Sequence, residues 1–214
     1  STQAPVPTAP STALPDPTAT TSEEPVGQQI RGVGAKIVEN MERSLSVPTA
    51  TSFREVPAKL LEVNRGVING YLGRTRGGKV SFTHIIGYAI VQAIRDYVPR
   101  MNNSYVEGPN GEPRLVAPAE INLGLAIDKE KPDGSRSLIV ACIRDAGSRS
   151  FSEFVALYDE LVRKAASNKL TPDDFAGVTV TLTNPGTIGT ERSVPRLMPG
   201  QGVIVGVGSL AYPT

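Results

Sequence analysis

The sequence predicts an α/β domain with a substantial mixed β-sheet, entered through a disordered tether. Three observations lead there. Apolar residues recur at helical spacing in four segments, 30–45, 58–72, 81–97 and 150–166. Alternating or uniformly apolar, β-branched runs read as strands at 49–56, 121–127, 137–143, 178–183 and 201–207. Residues 1–25 are almost wholly Ser, Thr, Ala and Pro, too poor in apolar surface to offset their ordering entropy. Helices and strands interleaved in this way point to α/β, with two- and three-layer packings both open.

Each element has its own warrant. Ile30, Ile37, Val38, Met41 and Leu45 lie along one helical stripe, which Pro48 closes. Phe53 and Val56 belong to an alternating run that ends at Pro57. The helix from Ala58 gives way to a loop at Arg76, Gly77 and Gly78, and the helix from Ser81 ends before Pro99. Gly108, Pro109, Asn110 and Gly111 form a turn. The strands around Leu123 and Ile139 flank a charged loop at 128–136. Ser150, with Glu153 three residues on, reads as a capping box for the fourth helix. Thr171 and Pro172 place Asp173 and Asp174 at a helix start or turn, where acid–base work is not their natural use.

Composition excludes much. The net charge is +1 with acidic and basic residues interleaved, which offers no electrostatic footprint for nucleic acid. No apolar run reaches the roughly 20 residues that span a bilayer. A single cysteine, Cys142, excludes an internal disulfide framework, and its setting in the run 138–143 makes it a small core residue. A single histidine, His84, excludes metal sites built on His and Cys. Projected at 100° per residue, His84 shares the polar helix face with Tyr88, Gln92 and Arg95. The run 202–208 is Gly-rich but lacks the spacing of a nucleotide loop. With no secretory signal pattern and no initial Met, the chain is expected to be a cytoplasmic segment of something larger.

The informative site candidate is the run Val178, Thr179, Val180, Thr181, Leu182, Thr183, broken at once by Asn184, Pro185 and Gly186. The break leaves the Thr183 hydroxyl at the carboxyl end of a strand beside a tight turn, where a side chain is held rigidly and still faces a ligand. An ordinary core strand with an ordinary turn reads the same way on spacing alone.

Seven segments together, in order, carry a resemblance. They are Ile30-Arg31, 80–90, Met101 to Ser104, 121–127, Lys169 to Gly177, Thr181 to Gly186, and 201–208. From Ile30 to about Tyr212 the chain resembles the catalytic domain of the dihydrolipoamide acyltransferases of 2-oxoacid dehydrogenase complexes. Thr75 to Lys79, Phe82 to Gly87 and Leu182 to Gly189 are similar to its actinobacterial variety. In that variety the domain is fused ahead of a thiamine-diphosphate-dependent 2-oxoglutarate dehydrogenase/decarboxylase.

The resemblance implies a chloramphenicol-acetyltransferase-like two-layer sandwich over residues 26–214, after a linker at 1–25. It implies succinyl transfer from a dihydrolipoyl thioester to coenzyme A. Thr183 matches the hydroxyl that stabilises the oxyanion, while Arg31, Asn184 and Gly186 fall at coenzyme A-binding positions. The implied partners are a lipoyl-bearing subunit, dihydrolipoamide dehydrogenase and two further copies in a homotrimer. Thiamine diphosphate and Mg²⁺ belong to the dehydrogenase part. The family's general base sits in an Asp-His-Arg motif that this chain does not reach before Thr214, so the segment alone is expected to be inactive. His84 aligns with an ordinary helix position and does not replace it. A non-catalytic oligomerisation module of the fused enzyme is the alternative, and a free-standing acetyltransferase of the same fold is a remote third.

Overall fold

The computed structural model describes residues 27–75, 77–130 and 136–211. The expected linker at 1–25 lies outside them. Among these residues there are four α-helices: α1 (Val33–Ser44), α2 (Lys59–Thr75), α3 (Phe82–Asp96) and α4 (Phe151–Ala166). The strands are β1 (Ser104–Glu107), β2 (Pro113–Val116), β3 (Leu123–Glu130), β4 (Arg136–Ile143), β5 (Val180–Thr183) and β6 (Val203–Gly206). β1 and β2 pair as a small antiparallel hairpin, and the main sheet has the order β4-β3-β5-β6. β3 and β4 are antiparallel, whereas β5 runs parallel to both β3 and β6, so the sheet is mixed.

Register explains the core. Ile143, Leu123, Val180 and Val203 stand opposite one another across the four strands, and Ala141, Leu125, Leu182 and Val205 form the next row. Side chains alternate across a strand, so both rows share one face. Against it pack Val91 and Ile94 of α3 and Phe154 and Leu161 of α4. Gly87 lets the helix close on the sheet: a Cβ there would lie 3.1 Å from Leu182 Cδ2 and 3.2 Å from Phe154 Cζ. The result is helices on one sheet face, in two layers.

Both long core helices start on capping boxes. Ser150 accepts from the Glu153 amide while the Glu153 carboxylate accepts from the Ser150 amide, as the sequence predicts. In α3, Ser81 caps the His84 amide at 3.2 Å and the His84 Nδ1 accepts from the Ser81 amide at 3.0 Å. α2 is tied to α3 by a reciprocal pair: the Val80 amide donates to Asn69 Oδ1 and the Asn69 amide donates to the Val80 carbonyl. Gly77 and Gly78, at φ of +71° and +89°, make the turn between them.

The far end of the sheet is anchored by polar groups. The Thr179 hydroxyl donates to Asn102 Oδ1 at 2.6 Å and accepts from the Asn122 amide at 3.0 Å. Asn102 in turn donates to the carbonyls of Pro118 and Glu120. Buried polar groups satisfied in this way specify one arrangement, here the position of β5 along its own axis.

Two expectations are corrected and one element is added. Residues 49–56 form no strand: Phe53 and Val56 are exposed, and the segment runs beside Arg192, which bonds Glu55 at 3.1 Å. Alternation confers only the capacity to pair, and no strand of the described sheet takes this segment as a neighbour. The β1–β2 hairpin around the turn at 108–111 was not anticipated. His84 is not on a solvent-facing helix surface but 3% exposed, because α4 covers the face it shares with Tyr88. Cys142 is buried as expected, and that burial pushes its thiol up to about 11. At pH 8 on the order of one such thiol in a thousand is ionised. Cys142 should therefore resist an aromatic disulfide reagent in the native state and react fully in 6 M guanidinium. Prompt native labelling would contradict its burial.

Candidate functional site

β5 ends at Thr183, and the chain turns through a short 3₁₀ segment, Pro185–Ile188, closed by Gly189 at φ of +87°. Val180 and Leu182 face the helices, so Thr181 and Thr183 point to the opposite face of the sheet. Thr181 is engaged there, its hydroxyl donating to Gln201 Oε1 at 2.8 Å. The Thr183 carbonyl accepts from the Val207 amide at 2.9 Å. Among the described residues, no side chain or backbone group bonds its hydroxyl. Beside Thr183 on that face stands Gly206, its registered partner on β6, which adds no side chain there. Ser193 and Pro195 pass over Gly206, within 3.3 and 3.6 Å of where a Cβ would be.

The turn is held from two sides. The Gly186 amide donates to the Val207 carbonyl at 3.0 Å, and a Cβ on Gly186 would come within 2.3 Å of the Gly208 backbone. Gly208 in turn packs on the Glu191 carbonyl, 2.0 Å from its own absent Cβ. These two glycines allow three backbone segments to stack where any side chain would force them apart. On the helix side, Asn184 Nδ2 donates to Thr83 Oγ1 at 2.8 Å. The phenol of Tyr158 lies near Thr83, and burial raises its pKa above the ordinary value.

The structure thus brings Thr183, Asn184 and Gly186 together in one turn. It does not bring Arg31 to them: that guanidinium is exposed before α1 and bonds Gln29 Oε1 at 2.9 and 2.7 Å. Thr83 was not singled out in the sequence. It lies 101 residues from Asn184, and no local pattern signals such a contact.

His84 also lies on the helix side. Its ring meets Tyr158 edge-on at 4.1 Å, and its Nε2 lies 3.2 Å from Asp159 Oδ1 without hydrogen-bond geometry. Because Nδ1 accepts from Ser81, the proton of the neutral ring sits on Nε2, facing Asp159. Burial lowers its pKa from the ordinary 6.5; the Asp159 carboxylate pulls the other way, and burial wins. The fold favours the neutral imidazole, so the unfolded chain binds a proton more readily than the folded one. This contribution to stability is complete above about pH 6.5 and is lost as pH falls through the window below it. We expect the urea midpoint to fall between pH 7.5 and 5, and to fall less in His84→Gln, which retains a capping side chain. Equal pH slopes in the two proteins would show that His84 does not contribute. Facing Tyr158 and Asp159 on the helix side, His84 is not placed to serve the Thr183 hydroxyl on the other face.

Among the described residues, no group of three or more His, Cys, Asp or Glu gathers as a metal ion would need, and no helix is long and apolar enough to cross a membrane. The chemistry available at the turn is that of a half-buried hydroxyl at a strand end.

The sequence profile of the 2-oxoacid dehydrogenases acyltransferase (catalytic domain) family matches residues 22–213. The chain belongs to this family. Its mixed α/β fold is that of the acyltransferase catalytic cores. The multifunctional 2-oxoglutarate metabolism enzyme of Mycobacterium sp. (strain JLS) is 56% identical to it over 186 residues, 87% of this chain and 15% of the relative. The chain therefore spans only about one-seventh of the length of that curated relative.

Among solved structures, dihydrolipoamide acetyltransferase from Azotobacter vinelandii matches with a TM-score of 0.72 at 26% identity, covering 92% of this chain and 78% of that one. A serine, a histidine and an asparagine have been studied for their role in that enzyme's catalytic mechanism. The probable dihydrolipoamide acetyltransferase of Listeria monocytogenes matches with a TM-score of 0.76 at 24% identity, over 88% and 76% of the two chains, a likeness of fold.

Proposed function

We propose that this acyltransferase domain transfers a succinyl group from a dihydrolipoyl thioester to coenzyme A. In this reading it works within a cytoplasmic 2-oxoglutarate dehydrogenase/decarboxylase of the tricarboxylic acid cycle. The single observation that carries the reading is the Thr183 hydroxyl, unbonded within the described chain and held at the end of β5 by a turn pinned on both sides. Supporting it are the family membership and the 56% identity to the mycobacterial enzyme, whose name specifies 2-oxoglutarate.

The chemistry follows from what such a hydroxyl can do. The sulfur of coenzyme A, giving its proton to a base, attacks the thioester carbonyl carbon. The carbonyl electron pair moves to oxygen, and the Thr183 hydroxyl donates a hydrogen bond to that developing oxyanion. Collapse of the tetrahedral species expels the dihydrolipoyl sulfur, which recovers the proton, and leaves succinyl-coenzyme A. The base in this reading is the histidine of the family's Asp-His-Arg motif, supplied from beyond residue 214. Residues 1–214 by themselves then transfer nothing.

Arg31 suits the phosphates of coenzyme A, since a guanidinium offers forked donors to such oxygens. Asn184 and Gly186 shape the turn that coenzyme A would approach. Residues 1–25 serve as a tether and 26–214 as the catalytic domain, working as a homotrimer with a lipoyl-bearing subunit and dihydrolipoamide dehydrogenase. Thiamine diphosphate and Mg²⁺ belong to a dehydrogenase part outside this chain.

The test is succinyl transfer from succinyl-dihydrolipoamide to coenzyme A in the complete protein. Turnover, with acetyl and longer acyl donors compared alongside, supports the reading. An assembled, well-folded protein with no transfer overturns it and leaves an oligomerisation scaffold.

A further inference from the structure

We propose that Thr83 is a positioning residue for the Thr183 turn. This inference rests on the reading of Thr183 as the oxyanion donor. Thr183, the last residue of β5, points away from the helices, whereas Asn184, the first residue after the strand, bonds Thr83 on the helix side, so the two side chains leave the chain in opposite directions. Tethering Asn184 on the helix side therefore sets the rotation of the turn about the strand axis, and with it the direction of the Thr183 hydroxyl on the far side. The tether is the 2.8 Å hydrogen bond from Asn184 Nδ2 to Thr83 Oγ1.

Its other end is firmly based. Thr83 lies in the first turn of α3, between Ser81 and His84, whose capping box fixes that turn. The next residue, the buried His84, meets the ring of Tyr158 of α4 edge-on at 4.1 Å, which fixes this turn against α4. An oxyanion donor works by being aimed before the charge develops. The Thr83 anchor on α3 supplies that aim from the helix side of the sheet, opposite the face to which the Thr183 side chain points.

The experiment is a double-mutant cycle in the complete protein, reading kcat and KM for coenzyme A. Thr83→Val removes the hydroxyl and keeps the branched shape; Thr83→Ser restores the hydroxyl. Thr83→Val should lower kcat between about ten- and a hundred-fold, the scale of a small misplacement of a catalytic group. KM should stay within about twofold, and Thr83→Ser should recover most of the rate. Combined with Thr183→Ala, the Thr83→Val change should cost nothing further, because it acts through a hydroxyl no longer present. Asn184→Leu, which keeps the size of the side chain and removes both its polar atoms, should reproduce the kcat loss even if Thr83→Val folds poorly.

Two results overturn the proposal while leaving the oxyanion reading intact: a wild-type kcat in both Thr83→Val and Asn184→Leu, or an equal Thr83→Val loss with and without Thr183. A wild-type rate in Thr183→Ala alone overturns the oxyanion reading, and the positioning role falls with it.

Discussion

Replacing Thr183 by Ala in the complete protein should lower kcat for succinyl transfer by about 10²–10³, with the fold unchanged. The magnitude follows from the role. A donor aimed at the oxyanion is worth most in the transition state, where the charge is greatest, so the loss falls on kcat and leaves KM for coenzyme A nearly constant. Thr183→Ser keeps a donor on the same Cβ and should retain most of the rate. Stability should change little. Thr183 is only half-buried, its hydroxyl bonds nothing in the described chain, and its backbone bond to Val207 survives the substitution. A decrease of less than about tenfold would remove Thr183 from the chemistry.

Replacing Phe154 by Ala should cost the domain about 3–5 kcal/mol, the range for a large aromatic lost from a closed core. Phe154 is 0% exposed and sits where α3, α4 and the sheet meet. Its ring lies against Gly87 and at 5.6 Å from Tyr88. Two features keep the site from collapsing into the space. Gly87 has no side chain to move inward, and the facing Leu182 is fixed by its pairing to Leu125 and Val205. Hydrogen exchange of the β3 and β5 amides in the complete protein measures the effect, as a fall in their opening free energy. A change below about 1.5 kcal/mol would mean that the layers repack. The neighbouring Phe151 is half-buried at the helix start, and its truncation should cost clearly less.

Much of the fold was legible because it depends on local periodicity. The helices at 59–75, 82–96 and 151–166 lie within a few residues of the segments that their apolar spacing marks. The Ser150–Glu153 capping box and the strand ending at Thr183 also appear where their residue types place them. α1 begins later than its apolar pattern does, at Val33, because Gly32 adopts φ of +61°. The failures have a common cause, which is that pairing and covering are not local. Residues 49–56 alternate as a strand should, yet a strand also needs an open edge of the right register beside it. His84 projects onto the polar side of its helix, but Tyr158 and Asp159 of α4 close over that side and turn it into an interior position.

The candidate site divides in the same way. That Thr183 ends a strand beside a tight turn was readable from a β-branched run broken by Asn184, Pro185 and Gly186, since proline and glycine interrupt a strand wherever they stand. By itself the sequence also determined the family, because seven short segments occur in the family's order over most of the chain, and the profile match to residues 22–213 agrees. Only the tertiary structure decided which way the Thr183 side chain faces, that Gly206 stands beside it, and that Thr83 bonds the turn from 101 residues away. Those depend on cross-strand register and on one helix meeting one turn. Such contacts between distant segments exist only once the chain has closed its core.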